Sequence, residues 1–153
     1  MPTRVDRQIR ALAMARECAA LGARVRTISR ITGLNPRDLL RLLFPDPQAV
    51  PRGRSPASPE WYHGANLICR AEASILVSVY RRLRTADLGA GQALLGAYRH
   101  YLGLCQPPHR ISFDRAFDLA AHTDGLWLTE SRSFSLVVCP ACHSEFLAAF
   151  GSV

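Results

Sequence analysis

The sequence predicts a mainly α fold: N-terminal helix-turn-helix-like helices, a second helical bundle, and a small C-terminal β-hairpin resembling half a zinc ribbon. Three observations carry this expectation. Apolar residues recur at three- and four-residue spacing through most of the first 125 positions, the proline-rich stretch "PDPQAVPRGRSPASP" separates two groups of such segments, and a CPAC turn near the C-terminus sits between β-like runs. With 153 residues, 48% of them hydrophobic, the chain has enough apolar surface to bury a core. The predicted divisions are 1–54, a basic helical region; 55–125, a helical core; and 126–153, a β-hairpin with the CxxC.

The first segment, "RVDRQIRALAMARECAALGA", reads as an amphipathic helix with Val5, Ile9, Leu12, Ala13, Ala19 and Ala20 on or near one face and Arg7, Arg10 and Glu17 largely off it, broken at Gly22. "RVRTISRITG" follows as a short helix that stops at Gly33, a residue suited to a left-handed cap. In "LNPRDLLRLLF", Asn35 can cap, Pro36 fits the first helical position, and Asp38 complements the positive end of the helix dipole. The linker at 45–59 is expected to be non-helical. Beyond it, "EASILVSVYRRLR" is a helix with Ile75, Leu76, Val79 and Leu83 inward, and "GQALLGAYRHYLGLC" is another. "SFDRAFDLAAHT" is a third, capped by Ser112 and closed by Gly125. From Leu126 onward "LWLTE" and "SFSLVV" read as strand before the turn, and "SEFLAAF" leaves it.

Charge is distributed unevenly. All 19 basic residues are arginine, and residues 1–54 hold 11 of them against Asp6, Glu17, Asp38 and Asp46, a balance of +7. The remaining 8 arginines are matched by 8 acids. Such an asymmetry is the footprint of a polyanion-binding surface, and arginine is the better bidentate partner for phosphate and guanine. A short helix, a Gly-containing turn and a capped second helix make a helix-turn-helix candidate. On that reading Asn35, Arg37 and Arg41 face DNA from the second helix, Arg24, Arg26 and Arg30 meet phosphates, and Arg52 and Arg54 reach out from the linker. The competing reading is a helical hairpin with a solvated basic face.

Cys139 and Cys142 form the CPAC turn, and three readings of it stay open. One is a structural zinc site, which needs four ligands; Cys105, His109 and His143 are the remaining candidates. A redox dithiol is the second, although no thioredoxin-like βαβ pattern precedes it. The third is a remnant, or a half-site completed by another chain. The other cysteines, at 18, 69 and 105, lie in apolar segments and read as reduced thiols of a cytoplasmic protein rather than a disulfide framework. The longest stretch free of Asp, Glu and Arg, Ser133 to Ser144, is too short to span a bilayer, so no membrane is expected. His63, His100, His109 and His122 form no ligand or catalytic set, no phosphate loop or HExxH is present, and no enzymatic activity is expected. Trp61, Tyr62, Tyr98 and Tyr101 are read as core aromatics.

Taken in order, "LGARVRTI", "TGL", the proline-rich linker, "SPEWY", "AYRHYLGLC", "SFDRAFDLAAHTDGLWLTE" and CPAC resemble the FlhC family of flagellar transcriptional activator subunits, from about Leu21 to Cys142. The resemblance implies a mainly helical protein that assembles with FlhD, binds promoter DNA of flagellar operons and recruits RNA polymerase, with 1–54 as the DNA-binding region and 55–125 as the partner-binding region. It also implies zinc held by two CxxC pairs. Cys139 and Cys142 match the first pair, the second is not matched in this sequence, and the stretch before CPAC is longer than the family's. Two rivals follow: a degenerate interaction module that binds FlhD without activating, and a small CxxC thiol oxidoreductase.

Overall fold

Thr3 opens the first helix with a reciprocal cap, its hydroxyl accepting the Asp6 amide proton at 3.1 Å while the Asp6 carboxylate accepts that of Thr3 at 3.0 Å. The computed structural model describes residues 1–51, 53, 56, 58 and 60–150. They fall into two compact units, Met1–Ser55 and Pro56–Val153.

The first unit contains α1 (Arg4–Ala20), α2 (Val25–Thr32) and α3 (Pro36–Leu43). Ala15 and Cys18 of α1, Ala23, Thr27 and Ile28 around α2, and Leu39 of α3 are buried in its core. The inward face expected of α1 is not covered along its length: Val5, Ile9, Ala13 and Ala20 are exposed. The reason is length. At about 1.5 Å per residue, the 8-residue α2 and α3 are less than half as long as the 17-residue α1. The small side chains that they bury lie in its C-terminal half.

The connection from α2 to α3 is fixed by its own polar groups. Gly33 adopts φ 76°, the left-handed region glycine favours, and its amide donates to the Ser29 carbonyl. The Ser29 hydroxyl donates to the Leu34 carbonyl at 2.7 Å, and the Thr32 hydroxyl accepts the Leu34 amide at 3.2 Å. Asn35 then caps α3, its Oδ1 accepting the Arg37 amide proton at 2.8 Å, with Pro36 at the first helical position. After α3 the linker is not wholly non-helical. Pro47–Ala49 make one 3-10 turn, started by Asp46 accepting the Gln48 amide at 2.9 Å.

The second unit contains α4 (Glu60–His63), α5 (Leu67–Thr85), α6 (Ala90–Leu104), α7 (Phe113–Asp124) and the antiparallel pair β1 (Phe134–Val138) and β2 (Glu145–Ala149). The fold is therefore mainly helical with a small C-terminal hairpin. Capped by Asn66, α5 begins five residues before the expected Glu72. Its buried stripe is Cys69, Ala73, Leu76, Val77 and Tyr80, while Ile75 is exposed rather than inward. Gly96 of α6 lies close to α5, since a Cβ there would sit 3.0 Å from Leu83 Cδ1. Ser112 caps α7 as expected, accepting the Arg115 amide at 3.2 Å.

The segment Leu126–Glu130 is not a strand. Gly125 turns left-handed at φ 68°, the Leu126 amide returns to the Ala121 carbonyl, and Trp127 takes φ 66°. Its ring stacks on Phe117 with centroids 5.1 Å apart. Burial of the indole against α7 prevails over the strand tendency of the run.

The hairpin is tied to the bundle by backbone groups. The Leu147 amide donates to Ser74 Oγ at 2.9 Å, the Leu147 carbonyl accepts the Tyr62 hydroxyl at 2.6 Å, and the Ser133 amide donates to the His122 carbonyl at 2.8 Å. At the α5–α6–α7 interface the buried Glu72 carboxylate accepts the Tyr101 hydroxyl at 2.5 Å and Arg110 Nη1 at 2.9 Å. Burial pushes this carboxyl up, but Tyr101 and Arg110 together overcome it and hold it below its usual range. Tyr62, Tyr98 and Tyr101 are core residues; Trp61 is half-buried and donates to Asp118 Oδ2 at 2.7 Å. No helix among the described residues is long and apolar enough to cross a membrane.

Candidate nucleic-acid interface and cysteine turn

Arginines at four-residue spacing lie one turn apart on the same side of a helix. Arg26 and Arg30 of α2 and Arg37 and Arg41 of α3 have this spacing, and all four are exposed. Arg41 Nη2 is paired with Asp38 Oδ1 at 2.8 Å. Arg24, at the start of α2, is half-buried, with its Nη2 end 3.3 Å from where a Cβ on Gly53 would stand. Asn35 is engaged as the cap of α3, so its carbonyl oxygen serves the helix first. Arg52 and Arg54 lie outside the described residues.

Four further arginines, Arg4, Arg7, Arg10 and Arg16, are exposed along α1. The charge balance of residues 1–54 includes them, and the helix pattern sets Arg7 and Arg10 largely off the apolar face. With them the exposed guanidinium groups of the first unit run over all three helices. What this arrangement can do chemically is hold phosphates by charge and by paired N–H donors.

In the second unit, CPAC occupies the turn of the hairpin. The strands end at the pair Val138 and Glu145, and the Cys139 amide donates to the Ser144 carbonyl while the His143 amide donates to the Cys139 carbonyl, both at 2.8 Å. His143 sits at φ 63°, so the chain reverses directly after the second cysteine. Cys142 is exposed and Cys139 half-buried. The Ser144 hydroxyl, followed by the Ser144 amide and the Cys139 thiol, holds the Cys142 thiol below its ordinary value.

These two sulfurs are half of a tetrahedral zinc set. Among the described residues no three His, Cys, Asp or Glu side chains come together where they could hold a metal ion. His109, one of the alternative ligands, instead directs Nε2 at the Leu102 and Cys105 carbonyls, at 3.1 and 3.0 Å. The described residues thus do not by themselves make a closed zinc site.

Fold and surface together define a mainly helical protein with a strongly basic three-helix unit and a cysteine-turn hairpin. Residues 3–152 match the sequence model of the family described as flagellar transcriptional activator (FlhC), and the chain belongs to that family. It is similar to the flagellar transcriptional regulator FlhC of Cupriavidus metallidurans, at 29% identity over 151 residues that cover 94% of this chain and 66% of that protein. The chain thus spans about two thirds of that relative's length.

Proposed function

We propose that the chain is a cytoplasmic, non-enzymatic transcriptional regulator of flagellar genes, which binds promoter DNA in a complex with FlhD and brings RNA polymerase to the promoter. The observation that carries this reading is the +7 balance of residues 1–54, displayed as exposed arginines on α1, α2 and α3 in a chain of the FlhC family. Arg26, Arg30, Arg37 and Arg41 supply the principal DNA contacts, α2 and α3 acting as a helix-turn-helix.

One subunit makes few phosphate contacts, and affinity falls with salt in proportion to their number. A complex that presents two such surfaces binds more tightly by multivalency. The test is a titration of a flagellar promoter fragment and a scrambled fragment with the chain co-purified with its FlhD, at two salt concentrations. A salt-sensitive shift that prefers the promoter supports the reading, and no shift removes it.

A second reading is favoured by one observation, the half-set of thiols at the hairpin turn. If the family's zinc cluster is needed for activation, the protein is an interaction module that holds FlhD without activating. Zinc at Cys139 and Cys142 then requires two ligands from outside the described residues, and native mass spectrometry of the complex reads this directly. Stable FlhD binding without a DNA shift and without zinc selects the second reading.

A further inference from the structure

The second unit holds a groove of about 740 Å³ between α5 and the hairpin, lined by Leu67, Arg70 and Ile75 on one wall and by Val137, Glu145 and Phe146 on the other. Its apolar residues are uncovered: Leu67 is 83% exposed, Ile75 39%, Val137 38% and Phe146 42%. Leu67 and Ile75 lie two turns apart on one side of α5, and Val137 faces Phe146 directly across the hairpin. Walls this open to solvent suit the face of another macromolecule rather than an enclosed small ligand.

The charges of the groove select its occupant. Arg70 Nη2 donates to the His63 carbonyl at 2.6 Å, and its guanidinium lies 5.6 Å from the centre of the Tyr62 ring. Glu145 accepts the Ser78 hydroxyl at 2.7 Å. Neither charge makes an ion pair among the described residues. Ser78 follows Arg70 by two turns of α5, about 12 Å at 1.5 Å per residue, so a cation stands towards one end of the groove and a carboxylate towards the other. A second copy turned about a two-fold axis brings its Glu145 to Arg70 and its Arg70 to Glu145, with the apolar residues between. Residues 55–153 hold 8 arginines and 8 acids, so no net charge of this unit opposes the approach of an identical one. One cation balanced by one carboxylate offers DNA no net attraction.

We infer that the groove between α5 and the hairpin is a two-fold interface between two copies of this chain, in which reciprocal Arg70–Glu145 ion pairs flank the apolar contact of Leu67, Ile75, Val137 and Phe146. The contact does not depend on FlhD. Two chains joined there carry two basic units, and DNA affinity then gains by multivalency.

The test is analytical ultracentrifugation of the full chain as wild type, Arg70→Glu, Glu145→Arg and the double reversal. The proposal expects wild type to dimerise and each single reversal to weaken the dimer about 10-fold or more, because it sets like charges together at both pairs. The double reversal should recover the dimer. An equimolar mixture of the two single variants should form a heterodimer, since both pairs are then again of opposite sign. A monomeric wild type overturns the interface, and so do single reversals that dimerise as wild type does. A photoreactive benzoylphenylalanine in place of Phe146 gives a readout that needs neither charge variant to fold, with the chain alone and co-purified with FlhD. A cross-link between two copies of the chain supports the proposal; one to FlhD or to DNA in its place overturns it.

Discussion

Arg41 and Asp38 pair at 2.8 Å on α3, with side chains 78% and 56% exposed. A pair this open contributes only about 0–1 kcal/mol, so a phosphate can take Arg41 from Asp38 with little loss. Arg41→Ala is therefore expected to weaken promoter binding and to reduce the slope of log affinity against log salt by about 1. Asp38→Asn is expected to strengthen binding, because the competing carboxylate is gone. Gel-shift titrations over a salt series check both, with thermal melting confirming that each variant is folded.

Asn35 tests whether the start of α3 matters as structure or as DNA contact. Its Oδ1 satisfies the Arg37 amide. Asn35→Ala should destabilise the fold by about 1 kcal/mol, and Asn35→Ser should recover most of that. Urea unfolding gives the stabilities. If Asn35→Ser regains stability and DNA affinity together, the cap is its role; recovered stability with lost affinity makes it a DNA contact.

Glu72 links stability to pH. Its folded pKa is lowered, because hydrogen bonds from Tyr101 and Arg110 outweigh the effect of burial. The stabilisation is thus fully present above the unfolded value of about 4.3 and is lost as pH falls through the lower folded value. Glu72→Gln should lose about 1–3 kcal/mol at pH 7. The gap to wild type should narrow at pH 3. Urea midpoints at the two values measure it.

Gly125 is set for a second reason besides its φ of 68°. A Cβ there would stand 2.7 Å from the Glu130 backbone carbonyl oxygen, which has no freedom to move aside as a side chain would. Gly125→Ala should destabilise by more than the roughly 1 kcal/mol expected from backbone conformation alone. Calorimetry checks this. An unchanged melting temperature would mean that the turn after α7 adapts.

Several helix ends were legible because the residues that make them act locally, although the start of α5 was not. Asn35 with Pro36, Ser112, and Gly33 and Gly125 each act within three or four positions, and the structure places all of them where the sequence indicated. What covers a helix is not local. The pattern of α1 marks an apolar stripe correctly, but α2 and α3 bury Ala15 and Cys18 and leave Val5 and Ile9 bare. Ile75 is exposed for the same kind of reason, since the contacts of α5 are made through Cys69, Ala73, Leu76 and Tyr80. Leu126–Glu130 read as strand until Trp127 found Phe117, a contact ten residues away that no two-residue alternation reveals. At the candidate site, charge counting revealed the basic unit. It could not separate an arginine on an open face, such as Arg37, from one folded inward, such as Arg24.

The measurement that bears most directly on the central claim is promoter binding by the complex with FlhD when Arg26, Arg30, Arg37 and Arg41 are all replaced by alanine. The account predicts that FlhD binding persists while the salt-sensitive, promoter-preferring shift disappears. An unaltered shift in that variant would contradict it, and would place DNA recognition elsewhere than on α2 and α3.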